Sequence, residues 1–524
     1  MIRNFLLACL SMLCVVQMSW AQTRYLDPVF AEVARQDTVP YGQNYTVFRA
    51  PGDTVTQIPY IRPLFMDVYT PVGDTASSRP LVLLCATGNF LPMPLNGGPY
   101  GTIKDSAVVE MANRLAERGY VVAVFDYRKG WDFLNPIQEI QTATLLQAAY
   151  RGIQDARACI RFFRKTVAED SNPYGIDPDR IAVGGFGTGG YISLGSGYLD
   201  DFNKVLLPKF IDPNNGMPYI DTTFHGNVNG TNTATANFPN WPDYSSDYNV
   251  NFNLGGALGD SSWIDPGDMP SIGFHTPLDP NAPYDIGIVI VPTTGNTVID
   301  QAAGSRAVTA INDDFGNNQV FIDAGFNDVY TQRANEINEG IEGLFPFDRP
   351  FTPGNLDCNG GQFPLVPEGD PWNWYNEPVF IATWNAVLGG GGADQNCSQL
   401  AANQDQSATK GRTYMDSVMG YLAPRLAEVL VNDSSSVSID DDILADQIQL
   451  YPNPAFDQIF ISNTNRDNFI REVRVMDLAG RILIQEQGLN QSQFILQRGN
   501  LPTGMYLIQI SALKGMTTKR VMFR

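Results

Sequence analysis

The stretch Ile181-Ala182-Val183-Gly184-Gly185-Phe186-Gly187-Thr188-Gly189-Gly190 decides the reading of this chain. A short apolar run enters a glycine-rich turn, and Tyr191-Ile192-Ser193-Leu194 continues as a helix. Working outward, Arg79-Pro80-Leu81-Val82-Leu83-Leu84 reads as a strand buried on both faces, and Val108 to Arg118 has helical spacing. Gly119 to Phe125 is the next strand, and Gln154 to Val167 the next helix. This βαβαβ rhythm predicts an α/β fold, a doubly wound and mostly parallel sheet with helices on both faces. Asn/Gly/Pro-rich insertions at about 202–255 and 335–405 interrupt it. Insertions of this kind shape or cap a cleft at the carboxyl ends of the strands.

The 524 residues exceed one typical domain, and the net charge of −21 with only 34 Lys and Arg argues against nucleic acid and anionic membranes as partners. At the N-terminus, Arg3, the apolar run Phe5 to Val16 and Ser19-Trp20-Ala21 form a signal-peptide pattern over residues 1–21. No other run is long and apolar enough to be a transmembrane segment. The expected localisation is secreted or outer cell surface. Residues 22–430 form the α/β region, and the Ser/Asp-rich 431–446 reads as a linker. Over 447–524, short alternating runs such as Ile459-Phe460-Ile461 and Tyr506 to Ile510 predict a small all-β sandwich. Past the signal, Cys85 and Cys159 read as buried thiols. Cys358 and Cys397, in Gly/Asn-rich loops, are the pair an oxidising compartment would join, the alternative being two unpaired thiols.

Further features point to family likeness. Tyr174-Gly175-Ile176-Asp177-Pro178-Asp179-Arg180 runs into the turn at Gly187. Arg118-Gly119-Tyr120-Val121-Val122 with Asp126-Tyr127-Arg128 precedes it, and Phe274-His275-Thr276-Pro277-Leu278-Asp279 follows. In this order the segment from Arg79 to about Asn327 resembles the carboxylesterase/lipase-like branch of the α/β-hydrolases. The resemblance implies a G-x-S-x-G elbow, with a serine nucleophile on a sharp strand-to-helix turn. Gly187 stands where that serine belongs. Asp279 falls on the triad acid. The triad histidine falls on Asn327, or less well Phe326, after an apolar run Val320-Phe321-Ile322 read as a late strand. The oxyanion loop becomes Ala86-Thr87-Gly88, with the Thr188 N–H as the other oxyanion donor.

Acyl transfer needs a nucleophile and a base within hydrogen-bond reach, and losing that unit costs on the order of 10⁶ in kcat. The leading expectation is therefore a non-catalytic protein that keeps its cleft for an ester, glycan or peptide-like ligand, with no cofactor and no metal. The alternatives are an active ester hydrolase with a non-standard nucleophile (Thr188, Ser193 or Cys85) and a surface adhesin. His275 reads as a core or turn histidine and His225 as exposed. Trp372, Trp374, Tyr375 and Trp384 either stack on a sugar or peptide or pack their loop onto the core. Asp440 to Asp442 read as a solvated charge run. In the tail, Tyr451-Pro452-Asn453-Pro454, Asp477-Leu478-Ala479-Gly480-Arg481 and Thr503-Gly504-Met505-Tyr506 resemble the C-terminal sorting domain of the type IX secretion system. That likeness implies the secretion machinery as a partner.

Overall fold

The computed structural model describes residues 23–46, 59–290, 295–432, 447–465, 469–476, 482–512 and 516–524. The signal segment, residues 433–446 of the linker with their aspartate run, and the Asp477 to Arg481 turn lie outside these residues. Two compact units, Met1–Asn432 and Asp433–Arg524, divide the chain.

In the large unit, eight strands form one sheet. They are β1 (Val33–Thr46), β2 (Tyr60–Pro71), β3 (Arg79–Cys85), β4 (Val121–Phe125), β5 (Ile176–Phe186), β6 (Val250–Leu254), β7 (Ser271–His275) and β8 (Leu344–Pro346). Their order across the sheet is β1-β2-β4-β3-β5-β6-β7-β8. Only the β1–β2 and β2–β4 pairs are antiparallel; β4, β3, β5, β6, β7 and β8 run parallel. Because side chains alternate along a strand, β3 feeds two cores. Leu81 and Leu83 pack with Ile153, Ile160 and Phe163 of α2 (Gln138–Glu169). Val82 and Leu84 pack with Val108, Met111 and Leu115 of α1 (Ser106–Ala116), and with Met415, Val418 and Leu422 of Ala408–Ala427. Burial on both faces is why β3 reads as an unbroken apolar run.

Three expectations need correction. The segment around Val320 to Ala324 is not a strand but a helix, Gln319–Ala324, because the last place in the sheet is taken by the three-residue β8. A short apolar run fits either state, so periodicity could not separate them. β6 lies within the range read as the first insertion, which therefore ends before Val250. Helix Ala408–Ala427 continues as a wider turn to Asn432, with Leu430 buried, so the large unit runs past residue 430.

The small unit is all-β. One sheet joins Ile448–Tyr451, Gln458–Asn463 and Gln493–Gln497; the other joins Ile482–Gln491, Ile470–Met476, Gly504–Ala512 and Met516–Phe523. Alternate residues (Ile459 and Ile461, Val473 and Val475, Ile508 and Ile510) are fully buried in its core. Period-two patterning alone dictates this arrangement.

Candidate functional site

β5 ends at Phe186, and α3 (Thr188–Tyr198) begins two residues later. Between them Gly187 adopts φ 48° and ψ −113°, a conformation strained for any residue with a side chain. The Gly187 N–H donates to the Leu254 carbonyl (2.7 Å), and its carbonyl accepts from the Gly190 N–H (2.8 Å). A β-carbon on Gly185 would collide with the Gly189 carbonyl, so glycine is what lets the helix approach the strand. The backbone thus holds the elbow shape.

What fills the elbow is Thr87. A β-carbon on Gly187 would stand 3.1 Å from the Thr87 Cβ and closer still to its Oγ1. The Thr188 N–H donates to that same Thr87 Oγ1 (3.3 Å), and the Asn89 N–H donates to Thr188 Oγ1 (2.9 Å). The backbone donor that would stabilise an oxyanion is therefore already engaged inside the protein.

Across the cavity, Asp279 follows β7. Its Oδ1 accepts from the Asn281 N–H (2.7 Å), and its side chain is only 2% exposed. The loop after β8 brings Gly369 and Asp370 to it: a β-carbon on Gly369 would lie 2.6 Å from Asp279 Oδ1. Asp279 Oδ2 and Asp370 Oδ1 lie 3.2 and 3.5 Å from the point where a β-carbon on Gly255 would stand. Burial, then the Asp279 carboxylate, then Glu368 push the Asp370 carboxyl up to about 8, while an Asn373 hydrogen bond pulls the other way. Glu368 itself is paired with Arg349 (2.6 Å) and Lys410 (2.5 Å).

Thr87, Gly88, Gly187, Thr188 and Asp279 line one cavity of about 760 Å³, and Asp370 lines it with them. Asn327 does not. It is exposed beside helix Val329–Asn335, where its side-chain oxygen accepts from Gln332 Nε2 (3.1 Å). A second, apolar cavity of about 130 Å³ shares Asn89, Thr188, Tyr191 and Asn281 with the first.

Other candidate nucleophiles are sequestered. Ser193 is fully buried and donates to the Val183 carbonyl (2.9 Å). Burial raises the Cys85 thiol well above its ordinary range, leaving it protonated and inert. Ser305, His275 and Asp279 stand in a row: His275 Nδ1 is 2.8 Å from Ser305 Oγ, and its Nε2 is 3.4 Å from Asp279 Oδ2. Ser305 and His275 are fully buried, neither lines either cavity, and Ser305 donates to Asn253 Oδ1 (2.8 Å). This row fastens β7 to its loop. His225 is buried, not exposed, because the first insertion folds against α2, where Gln154 donates to its carbonyl (2.8 Å). Cys358 and Cys397 are joined by a disulfide, with Cα atoms 5.7 Å apart. Among the described residues no group of three or more His, Cys, Asp or Glu could hold a metal ion, and no helix is long and apolar enough to cross a membrane.

Sequence reasoning missed Asp370 and the Thr87 contact. The one local signal for Asp370 is the Pro367-Glu368-Gly369-Asp370 run, two acids around a glycine in a loop.

The strand order, the helices on both faces and the elbow between β5 and α3 define an α/β-hydrolase fold. Residues 449–524 match the secretion system C-terminal sorting domain, the address of an exported protein. Among solved structures, a thermophilic esterase from the Planctomycetes species Thermogutta terrifontis is 16% identical, with a TM-score of 0.27 over 47% of this chain and 72% of that one. Its propionate-bound form is 17% identical, with a TM-score of 0.27 over 47% and 74%. The form phosphonylated by cyclosarin is 18% identical, with a TM-score of 0.26 over 47% and 73%. Comparison with curated proteins gave no match.

Proposed function

We propose that this chain is a non-catalytic binding protein on an α/β-hydrolase scaffold, exported through the type IX secretion system to the cell surface or medium. The observation that carries the reading is the occupied elbow. Gly187 supplies no nucleophile, Thr87 fills the space a side chain would take, and its hydroxyl caps the Thr188 N–H. Among the described residues no histidine lines the cavity opposite; carboxyls stand there instead. A carboxyl that holds its proton is a hydrogen-bond donor to a ligand, but it cannot serve as a base until that proton leaves.

The test is hydrolysis of p-nitrophenyl acetate and butyrate by the full chain, with labelling by a fluorophosphonate probe. Background turnover and no label are expected. Turnover abolished by Thr87→Ala would make Thr87 a nucleophile and overturn the proposal. Gly187→Ser alone is expected to stay unlabelled, since Thr87 crowds the new side chain and, among the described residues, no histidine lines the cavity.

A further inference from the structure

The two cavities, read with the aromatic cluster of the second insertion, give the ligand a chemistry. Trp372 is fully buried against Phe347, and Trp374 packs on the core beneath Arg412. Tyr375 and Trp384 do neither: both line the large cavity, along with Tyr100. Tyr100 meets Tyr375 edge-on at 5.8 Å, and Phe380 braces both Tyr375 (5.5 Å) and Trp384 (5.8 Å). The rings are therefore held as a fixed wall rather than buried as core.

The polar lining is one-sided. Among the described residues no Lys, Arg or His lines this cavity, whereas Asp279, Glu368 and Asp370 do. Glu368 is neutralised by Arg349 and Lys410 behind the wall, so the carboxyls an anionic ligand would meet unpaired are Asp279 and Asp370, and these disfavour acidic and phosphorylated ligands. The remaining polar groups are largely carboxamides, among them Asn281, Asn373, Gln395, Gln399 and Asn403; Gln395 and Gln399 each spend one N–H on the Gly97 carbonyl and keep the side-chain oxygen and a second N–H. The Tyr191 hydroxyl is buried without a hydrogen-bond partner, and its ring borders both cavities. A buried polar group left unpaired is costly, so it marks a place where an outside hydroxyl would be held. Its volume of about 760 Å³ lies in the range that encloses a whole small ligand.

We infer that this cavity binds an uncharged, hydroxyl-rich ligand of the oligosaccharide class, with a sugar face against Trp384 and Tyr375 and its hydroxyls shared among the carboxamides, Tyr191 and the Asp279–Asp370 pair. The inference rests on the proposal that the cavity binds without acyl transfer. Uncharged sugars match it because each hydroxyl donates and accepts, as the lining does, and because the apolar faces of sugar rings suit a fixed aromatic wall.

The experiment titrates the full chain with neutral hexasaccharides (cellohexaose, xylohexaose, mannohexaose, maltohexaose), with hexagalacturonic acid as an anionic probe and hexameric chitosan as a cationic one. Tryptophan fluorescence and calorimetry read binding. Saturable binding of at least one neutral hexasaccharide is expected, without binding of the galacturonate. Trp384→Ala and Asp370→Ala should each weaken it by about tenfold or more, a change of about 1.4 kcal/mol, with circular dichroism unchanged. Binding of the charged probes alone, binding of none, or neutral binding untouched by both substitutions would overturn the inference. Ester turnover in the earlier assay would sink the non-catalytic reading while leaving these titrations to decide the sugar question separately.

Discussion

The first insertion, which ends before Val250, is fastened to α2 by guanidinium groups, whereas the second is fastened by a disulfide, ion pairs and packed rings. The second, read as about 335–405, is broken by β8 at Leu344–Pro346 and runs on from residue 347. On the first, Arg157 donates to the carbonyls of Val228 (2.8 Å) and Arg161 to those of Asn229 (2.8 Å) and Asn240 (2.9 Å). Arg128 reaches the Ala236 carbonyl (3.0 Å) while paired with Asp155 (2.9 Å). On the second, Cys358–Cys397 ties a hairpin to helix Gly392–Ala402, and Glu368 bridges Arg349 and Lys410. In the first insertion the carbonyls of Val228, Asn229, Ala236 and Asn240 are taken up by buried guanidinium groups. The second sets carboxamides, carboxyls and two aromatic rings on a cavity wall, some of them already engaged: Gln395 and Gln399 donate to the Gly97 carbonyl, and Asn403 Oδ1 accepts from Lys410. Saturated polarity builds structure; polarity left facing a cavity is what can meet a ligand.

The comparison breaks most easily at Asp155. Replacing Asp155 by Ala removes the buried carboxylate that pairs with Arg128 and faces Arg151, and should cost about 3–5 kcal/mol, read from urea unfolding of the large unit. A loss under about 1 kcal/mol would mean that the carbonyls alone hold the first insertion. Replacing Cys358 and Cys397 together by Ser should cost about 4 kcal/mol for a sequence separation of 39. Faster hydrogen exchange should then appear within 347–402 and not within 202–249; a spread into the first insertion would join what the comparison separates.

Titration should separate the two regions by sign, with slopes of at most about 1.4 kcal/mol per pH unit. Burial, then Arg151 and Arg128, hold His225 down to about 3 against an ordinary 6.5. Between those values the unfolded chain binds a proton that the folded chain refuses, so stability from the first insertion falls as pH falls. Asp370 behaves oppositely. Its carboxyl, raised to about 8 from 3.8, keeps a proton that the unfolded chain has released, so stability falls as pH rises through that window. His225→Gln should flatten the acid limb and Asp370→Asn the alkaline limb of stability measured from pH 4 to 9. A variant that flattens the wrong limb would refute the assignment.

Much of the frame is legible in the sequence for local reasons. β3 and β4 are continuous apolar runs because both faces are covered, and the elbow announces itself by glycines two residues apart, each forced by contact or by φ. The tail alternates because each sheet buries one face. The failures are equally physical. Val320 to Ala324 and Leu344 to Pro346 are both too short for periodicity to assign, so the chain position of the last strand was misplaced, and with it the residue expected opposite the elbow.

The sequence by itself determined that glycine occupies the elbow, that an acid follows β7, and that the chain ends in a sorting domain, because each is a property of residues close together in the chain. Only the tertiary structure decided what faces them. Thr87 meets Gly187 across 100 positions, and Gly369 and Asp370 meet Asp279 across about 90, through strand pairings that set which loops converge at the carboxyl ends of the sheet. Such meetings depend on sheet order and loop closure rather than on local pattern, so no window of sequence contains them.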